Sequence, residues 1–230
     1  MIAVIGGTGI GNRLQQEAGL GLRIPTQFGL ARAKRLDWAV AFARHSEGHR
    51  VGPQAVDYPA IAAGVKALGC RACVSTAAVG AVHKNLKPGD LAVCTDFVDL
   101  TQNRPSVFAS QPVHTDFSQP FDPELTARLM KEVPTSERCV YACTSGPRYE
   151  TPAEIACLQS VGCDVVGMTA SSEAIAMREI GVPYACVCIV TNYAAGVSDH
   201  NLSHTEVEQQ MSRSAERVIA ILKKLAADFV

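Results

Sequence analysis

The feature that most constrains this chain is the alternation of short β-rich runs with helical patterns. Runs typical of strands lie at 2–5, 38–43, 72–75, 91–98, 140–144, 164–168 and 184–191. Strands that alternate with helices indicate an α/β fold in which helices pack on a central sheet. The 230 residues, 47% of them hydrophobic, suffice for one substantial core and require no second. We therefore expect a single α/β domain over residues 1–230.

Three internal helices are marked by their sequence signals. Residues 59–68 have a helical pattern, and residues 123–132 follow Asp122 as a cap, with proline in the first turn. Thr151 and Glu154 have the spacing of a capping box, in which each side chain bonds the backbone amide of the other residue. These signals fix where two of the three helices begin.

A long terminal helix is predicted from a second capping box, formed by Ser203 and Glu206. The apolar residues near one face of this helix are Val207, Met211, Val218, Leu222 and Leu225. We expect that face to pack on the sheet.

The charge balance argues against nucleic acid or an anionic membrane as the main partner. The chain has 21 Lys and Arg residues and 22 Asp and Glu residues, for a net charge of −1, and no long run of either sign. No apolar run reaches the roughly 20 residues that span a bilayer, and the start of the chain lacks the features of a signal peptide. We expect a small-molecule ligand and a cytoplasmic location.

The nine cysteines are interpreted as reduced core residues, because most lie in apolar, strand-like stretches. Cys70 and Cys73 form a C-x-x-C pair, but no second pair completes a zinc set. The histidines at 45 and 49, and at 200 and 204, have metal-like spacing, but a glycine or a cap residue interrupts each segment. We predict no metal site.

A glycine-rich loop follows the first strand and is a candidate for binding an anion. Gly6, Gly7 and Gly9 surround Thr8, whose hydroxyl lies among backbone amides that can converge on an oxyanion. The spacing does not fit the dinucleotide-binding fingerprint, because position 12 is asparagine rather than glycine. A plain tight turn is the alternative.

Two further strand ends add donors to this candidate site. Arg44 and His45 follow the strand at 38–43, and the fork of a guanidinium suits a tetrahedral oxyanion. The alternative for Arg44 is a surface salt bridge. Small residues at 77–80 follow a third strand and would let backbone amides approach a ligand closely. Because ligands gather at the carboxyl ends of strands in open α/β sheets, we expect an inorganic phosphate pocket here.

Three more predicted strands end in polar segments, within GPRYETPAEI, DVVGMTASSEA and IVTNYAAG. With these segments the chain resembles the trimeric nucleoside phosphorylases, the family of purine nucleoside phosphorylase and methylthioadenosine phosphorylase. The similarity covers nearly the whole chain and includes, in order, GGTG, RH, VDYPA, AVGAVHKNLKPGD, GPRYET, VVGMT and TNYAAG. It is greatest for the S-methyl-5′-thioinosine phosphorylase branch. The resemblance implies a central mixed, twisted β-sheet flanked by helices, a homotrimer and no cofactor, with inorganic phosphate as co-substrate.

The resemblance also implies residue roles around phosphate and ribose. The residues that would hold phosphate are Thr8, Arg44, His45, Thr169 and the backbone amide of Ala78. Met168 would lie under the ribose. Without the resemblance, Thr169 could simply cap the following turn, and methionine more often fills a core.

Two polar residues would then select the base. Glu150 lies just before the helix capped by Thr151, where the helix dipole favours an ionised carboxylate that only accepts hydrogen bonds. A 6-oxopurine presents N1–H as a donor, whereas adenine presents a bare N1. Asn192 would donate to O6 and accept from N7–H, and Tyr149 would stack on the base. The alternatives are a solvated charge for Glu150 and a turn residue for Asn192.

Several positions depart from the family pattern. Ala77 and Ser46 replace residues common in relatives, and residues 29–40 look shortened. His204 matches a histidine that contacts the 5′-hydroxyl in nucleoside-cleaving members of the family. Methylthio-selective members tend to have an apolar residue at this position. A solvated histidine at the helix start is the alternative. His114 is a candidate to reach the 5′ pocket of a neighbouring subunit.

The leading hypothesis is phosphorolysis of 6-oxopurine nucleosides, with S-methyl-5′-thioinosine giving hypoxanthine and 5-methylthioribose 1-phosphate. Inosine or guanosine are alternative substrates, and methylthioadenosine is less favoured. In this hypothesis Asn192, Glu150 and His45 are the catalytic residues. The competing hypotheses are hydrolysis, with water replacing phosphate, and a non-catalytic purine-binding protein.

Overall fold

Strands and helices alternate along the computed structural model, which describes residues 1–45, 51–102, 106–108, 110–133, 138–199 and 203–229. The strands are β1 (Ile2–Gly6), β2 (Leu20–Thr26), β3 (Gly29–Arg35), β4 (Ala39–Ala43), β5 (Cys73–Ala81), β6 (Leu91–Val93), β7 (Asp96–Asp99), β8 (Val140–Cys143), β9 (Val165–Gly167) and β10 (Tyr184–Tyr193). The helices are α1 (Ile10–Gln16), α2 (Tyr58–Ala67), α3 (Pro123–Glu132), α4 (Pro152–Ser160), α5 (Ala170–Glu179) and α6 (His204–Ala227).

One mixed sheet joins the strands of the described ranges. Its order is β2-β3-β4-β1-β5-β9-β8-β7, and β10 pairs with both β5 and β6. The pairs β1 with β4, β1 with β5, and β5 with β10 are parallel. The pairs of β2 with β3, β3 with β4, β5 with β9, and β6 with β10 are antiparallel. The α/β class with a central mixed sheet is therefore confirmed.

Helices cover both faces of this sheet. The central strands carry apolar side chains on both faces, and the helices bury them. Helices α2 and α5 pack on the face that β1 lines with Ala3 and Ile5. Helices α1, α3 and α6 pack on the face that β1 lines with Ile2 and Val4. The apolar face predicted for the terminal helix is buried there, from Val207 to Ala226. Near-continuous apolar strands of this kind are typical of parallel sheets that are buried on both faces.

The strand register brings polar segments of distant sequence to one edge. Gly6 at the end of β1 lies opposite Ala43 at the end of β4. The strands β5 and β10 run side by side along their length, so that Gly80 lies opposite Asn192. The loops that follow β1 and β4 and the last residues of β5 and β10 therefore lie at the same edge, where open α/β sheets bind ligands.

Some predicted elements differ from the structure. The single strand predicted at 91–98 is wrong: β6 pairs with β10 and β7 pairs with β8, so the chain changes partners between them. The β2–β3 hairpin and the helices α1 and α5 were not predicted. Residues 29–40 contribute β3 and the start of β4. Ser46, His49 and His200, which the sequence singled out, lie outside the described residues.

The two capping boxes have different outcomes. At α4 the Thr151 hydroxyl accepts from the Glu154 amide at 3.2 Å, and the Glu154 carboxylate accepts from the Thr151 amide at 2.7 Å, which confirms that box. At α6 Ser203 is the N-cap residue but its side chain caps no amide, so the second box is wrong. The residues in the first turn of α6 are exposed, so water can bond the backbone amides that no cap satisfies. Among the described helices, none is both long enough and apolar enough to cross a bilayer.

Candidate active site

A cavity of about 330 Å³ lies at the edge of the sheet where the carboxyl ends of these strands meet. The predicted site residues that line it are Thr8, Arg44, His45, Ala78, Tyr149, Glu150, Met168, Thr169, Asn192 and His204. Residues that the sequence did not predict at the site also line it, among them Pro53, Val166, Thr191 and Val207. The fold thus brings the whole predicted set around one space, in which apolar walls carry a few polar groups.

The glycine loop is packed directly against Arg44. The Gly7 amide donates to Thr76 Oγ1 at 3.0 Å, and the Arg44 amide donates to the Gly6 carbonyl at 3.1 Å. A Cβ atom at Gly7 would collide with Nη1 of Arg44 and lie 2.7 Å from the Thr76 carbonyl oxygen. Glycine is therefore required at position 7 by the close approach of the guanidinium.

Replacing Gly7 by alanine is expected to move the guanidinium or the loop. We expect a loss of about 1–3 kcal/mol in the free energy of unfolding, as for other overpacked sites, and a weaker response to phosphate. Thermal unfolding with and without phosphate measures both effects. Gly21→Ala in β2 is the matched control, because nothing lies within 4 Å of its Cβ position. Equal stability of the two variants would contradict this account.

Arg44 is buried and makes an ion pair with Glu173, so the surface salt bridge considered for it is wrong. Arg44 Nη2 lies 2.9 Å from Glu173 Oε2, and Nε bonds Oε1 of the same carboxylate. The two side chains are 2% and 1% exposed. Burial acts to lower the pKa of Arg44, but its attraction to Glu173 and their hydrogen bond outweigh burial and raise that pKa above its usual value. Arg44 therefore stays charged.

His45 is held by its Nδ1 atom. This atom lies 2.8 Å from the Val51 carbonyl oxygen, so Nδ1 carries the proton and donates it. The ring is buried at 8% exposure while it lines the cavity. A histidine fixed through one nitrogen presents its other nitrogen, Nε2, in a defined orientation.

Thr169 and Met168 lie at the turn between β9 and α5. Thr169 is the N-cap residue of α5, but its side chain makes no capping bond, so the alternative of a simple cap is not what the structure shows. Its amide donates to the Tyr141 hydroxyl at 3.2 Å. Met168 is half-buried and packs over Gly146, where a Cβ atom would collide with its sulfur. It lines the cavity rather than filling the core alone.

Glu150 is half-buried and is oriented by a neighbouring hydroxyl. Thr144 Oγ1 donates to Glu150 Oε1 at 2.6 Å. Because Glu150 makes this contact and is half-buried, it is not the fully solvated charge considered as the alternative. Burial, followed by the negative charge of Glu150, raises the pKa of Tyr149, so the adjacent phenol stays neutral at ordinary pH.

Asn192 lies within β10, so the alternative of a turn residue is wrong. The strand pairing with β5 is irregular between Val190 and Asn192. Its Oδ1 accepts from Thr191 Oγ1 at 2.7 Å, and its Nδ2 donates to the Tyr193 carbonyl at 2.8 Å. Asn192 and Glu150 line the same cavity as Arg44 and Thr8.

His204 begins α6 at the border of the cavity. Its side chain is 55% exposed, and its Nε2 lies 3.6 Å from Glu208 Oε1. Val207, one turn further, also lines the cavity, so this end has both a polar and an apolar side chain. Ala77 is buried in the core of β5. His114 is exposed and does not line this cavity, and its predicted role across a subunit border stays a prediction.

Eight of the nine cysteines are buried and Cys157 is exposed, so the core position predicted for most of them is confirmed, while their reduced state stays a prediction. The sulfur atoms of Cys94, Cys186 and Cys188 lie within 4.8 Å of one another. Burial raises the pKa of the Cys94 thiol, whereas hydrogen bonds from the Cys188 and Cys94 thiols lower the pKa of Cys186, so the lack of a metal site stays a prediction. The C-x-x-C pair of Cys70 and Cys73 does not belong to this group.

The fold and cavity define an α/β protein with a candidate ligand site at the carboxyl edge of its sheet. Residues 2–227 match the Phosphorylase superfamily, so the chain belongs to that superfamily.

Individual relatives and solved structures agree with this assignment. The chain is 39% identical over 201 residues to the 6-oxopurine nucleoside phosphorylase of Pyrococcus furiosus, covering 81% of this chain and 76% of that protein. It is 38% identical over 235 residues to a Methanothermobacter thermautotrophicus protein named "Probable S-methyl-5'-thioinosine phosphorylase", covering 99% and 84%. The methylthioadenosine phosphorylase of Schistosoma mansoni, solved with adenine, superposes with a TM-score of 0.92 at 25% identity, covering 99% of this chain and 91% of that one.

Glu173, Tyr184 and Thr144 are contact residues that the sequence analysis missed. Glu173 lies in the first turn of α5, where an acidic residue is expected on dipole grounds alone, so nothing marked it as a partner of Arg44. Its complete burial was the missing information. Thr144 follows the last residue of β8 and lies two residues before GPRYET, and this position was the available signal.

Proposed function

We propose that this chain catalyses the reversible phosphorolysis of 6-oxopurine nucleosides. The substrate we favour is S-methyl-5′-thioinosine, which would give hypoxanthine and 5-methylthioribose 1-phosphate. Membership of the phosphorylase superfamily and the names of two relatives, one a 6-oxopurine and one a methylthioinosine phosphorylase, support this proposal.

The observation that carries the proposal is the pairing of a carboxylate and a carboxamide in the cavity that Arg44 also lines. Glu150 would accept from N1–H of a 6-oxopurine. Asn192 would donate to O6 and accept from N7–H. Adenine would set its bare N1 against the carboxylate and leave these groups without partners, at about 1–3 kcal/mol each.

The reaction needs positioning and charge stabilisation rather than a cofactor. An oxygen of phosphate attacks the anomeric carbon while the bond from that carbon to purine N9 breaks, and the bonding electron pair leaves with the base. As negative charge develops on the departing purine, N7 would take a proton from solvent, and Asn192 Oδ1 would accept a hydrogen bond from the N7–H that forms. Thr8, Arg44, His45, Thr169 and the Ala78 amide would hold phosphate in line with the bond that breaks. Met168 would lie under the ribose, and Tyr149 would stack on the base.

Asn192 would first exchange its local hydrogen bonds for those to the base. In the structure its Oδ1 accepts from Thr191 Oγ1 and its Nδ2 donates to the Tyr193 carbonyl. A rotation of this side chain would present both amide groups to the purine, and the single proton of the Thr191 hydroxyl would then be donated to the Val79 carbonyl, 3.2 Å away.

The 5′ substituent would lie near His204 and Val207. Val207 offers the apolar contact that a methylthio group requires, and His204 offers a donor for a 5′-hydroxyl. We further propose a cytoplasmic homotrimer that serves purine salvage without a metal, a nucleic acid or a membrane partner, in which His114 approaches the neighbouring 5′ pocket. Sedimentation of the purified protein tests the trimer, and a monomeric mass would reject it.

A panel of substrates tests the proposed function. Purified protein with phosphate is expected to release hypoxanthine from S-methyl-5′-thioinosine at least tenfold faster than adenine from methylthioadenosine, because a mismatched base costs about 1–3 kcal/mol. Inosine and guanosine, measured in parallel, report the preference at the 5′ position. Base release is followed by chromatography. Faster release of adenine would reject the roles given to Glu150 and Asn192.

Omission of phosphate provides the control for reaction type. Activity is expected to disappear without phosphate and to return as phosphate is added, with sugar 1-phosphate as the second product. Full activity without phosphate would indicate hydrolysis. Binding of hypoxanthine with no turnover of any nucleoside would indicate a purine-binding protein.

A further inference from the structure

Behind Arg44 lies a buried line of hydrogen-bonded side chains from three separate elements. Ser75 in β5 lies 2.6 Å from the Tyr184 hydroxyl in β10, and that hydroxyl lies 2.8 Å from Glu173 Oε2 in α5. Glu173 in turn makes the two-bond ion pair with Arg44. Ser75, Tyr184 and Glu173 are each 2% exposed or less, and none of them lines the cavity.

The chemistry of the groups fixes the direction of each hydrogen bond in this line. A carboxylate only accepts, so the single proton of the Tyr184 hydroxyl is donated to Glu173. Ser75 Oγ must then donate to the Tyr184 oxygen. Both bonds point toward the carboxylate, and Glu173 receives one bond from Tyr184 in addition to two from Arg44. Hydrogen bonds aligned in this way polarise and strengthen one another.

The line determines where the guanidinium can lie. Nε and Nη2 of Arg44 are bound to Glu173, and Nη2 also donates to the Thr76 carbonyl at 3.0 Å. The planar group is thereby fixed at three points, with Nη1 against Gly7 beside the Thr8 loop. Arginine has many rotamers in water, so a site that fixes it in advance loses less entropy when the anion binds.

We propose that Glu173, Tyr184 and Ser75 are positioning residues that orient Arg44 for phosphate without touching phosphate themselves. This inference rests on the proposed function only in taking phosphate as the anion that Arg44 binds. It assigns the phosphate affinity of the site partly to residues on the far side of Arg44, in the core of the sheet.

Removal of one hydroxyl tests the inference. Tyr184→Phe keeps the ring that stacks on Phe121, whose centroid is 5.8 Å away, and deletes only the hydroxyl, with its bonds to Glu173 and Ser75. We expect the dissociation constant of phosphate to rise about five- to tenfold, the value of one ordinary hydrogen bond, because the lost hydroxyl acts on phosphate only through Arg44. Calorimetric titration with inorganic phosphate alone measures it. In turnover, the KM for phosphate is expected to rise in parallel while the KM for the nucleoside stays within about twofold.

A control variant separates positioning from general loss of stability. Val218→Ala removes buried methyl groups from α6, on the opposite face of the sheet from Tyr184. We expect it to lower the melting temperature without changing the dissociation constant of phosphate. If Tyr184→Phe binds phosphate as tightly as the wild type, or if Val218→Ala weakens binding equally, the inference is overturned.

A double variant that includes Ser75 provides a second test of the inference. Because Ser75 acts only through Tyr184, the double variant Ser75→Ala/Tyr184→Phe is expected to bind phosphate as Tyr184→Phe does, with no additional loss. If the losses of phosphate affinity caused by Ser75→Ala and by Tyr184→Phe add in the double variant, Ser75 does not act through Tyr184, and the proposed order of hydrogen bonds is overturned. Phosphate binding is measured without nucleoside, so a wild type that binds phosphate but cleaves no nucleoside would reject the proposed function and leave this inference intact.

Discussion

Glu150→Gln is expected to lower hypoxanthine release by about 30- to 1000-fold in kcat/KM, equivalent to about 2–4 kcal/mol. The reason lies in the hydrogen bond from Thr144 Oγ1 to Glu150 Oε1, which is 2.6 Å long. In the glutamine variant the amide oxygen would take the position of Oε1, because only an oxygen can accept that bond. The NH2 group would then face the base, where a 6-oxopurine presents N1–H, and two donors would oppose each other.

The same substitution is expected to favour adenine. Adenine presents N1 as an acceptor, to which the new NH2 group can donate. The ratio of activity on S-methyl-5′-thioinosine to activity on methylthioadenosine should therefore fall by more than either rate alone. Glu154→Gln is the matched control, because Glu154 caps α4 and pairs with Arg148 without lining the cavity. Its activity ratio is expected to stay at the wild-type value.

A double variant tests the part played by the threonine. Thr144→Val removes the donor that orients the side chain at position 150, so the amide introduced there could turn its oxygen toward the base. Thr144→Val/Glu150→Gln is therefore expected to recover part of the hypoxanthine release lost in Glu150→Gln. A further loss of activity in the double variant would contradict the orientation assigned to Thr144.

The local signals of the sequence were enough to predict most strand positions and the polar groups at strand ends, whereas Met168, Thr169 and His204 were placed at the site by the family resemblance. Glycines after β1, a basic pair after β4 and an amide near the end of β10 are polar groups at strand ends, and parallel strands place such ends together. The capping box at Thr151 was equally local. Predictions of this kind succeed because a strand end or a helix start is determined by residues a few positions apart.

The contacts that could not be predicted join residues far apart in sequence. Arg44 and Glu173 are separated by 129 positions, and Ser75 and Tyr184 by 109. Neither pairing follows from a local pattern, because burial decides whether a charge needs a partner. The β2–β3 hairpin was missed for a different reason. Its strands lie at the edge of the sheet and are half exposed, with a proline and a glycine that weaken their strand pattern.

The Arg44–Glu173 pair leads to a second large effect, on stability. Arg44→Met is expected to lower the free energy of unfolding by about 3–5 kcal/mol, because it leaves the Glu173 carboxylate buried without its cation. Loss of phosphate binding accompanies it, and phosphorolysis should fall below detection. Denaturant unfolding and activity assays measure the two effects on the same samples.

The double variant Arg44→Met/Glu173→Met separates these effects. Two apolar side chains of similar volume need no partner, so most of the lost stability is expected to return. Tyr184 would stay satisfied by turning its proton toward Ser75, 2.6 Å away, while the Thr76 carbonyl would still lack the donor from Arg44. Activity should not return, because no guanidinium remains for phosphate. A double variant as unstable as Arg44→Met would show that the cost lies in the lost packing of the arginine rather than in the unpaired carboxylate.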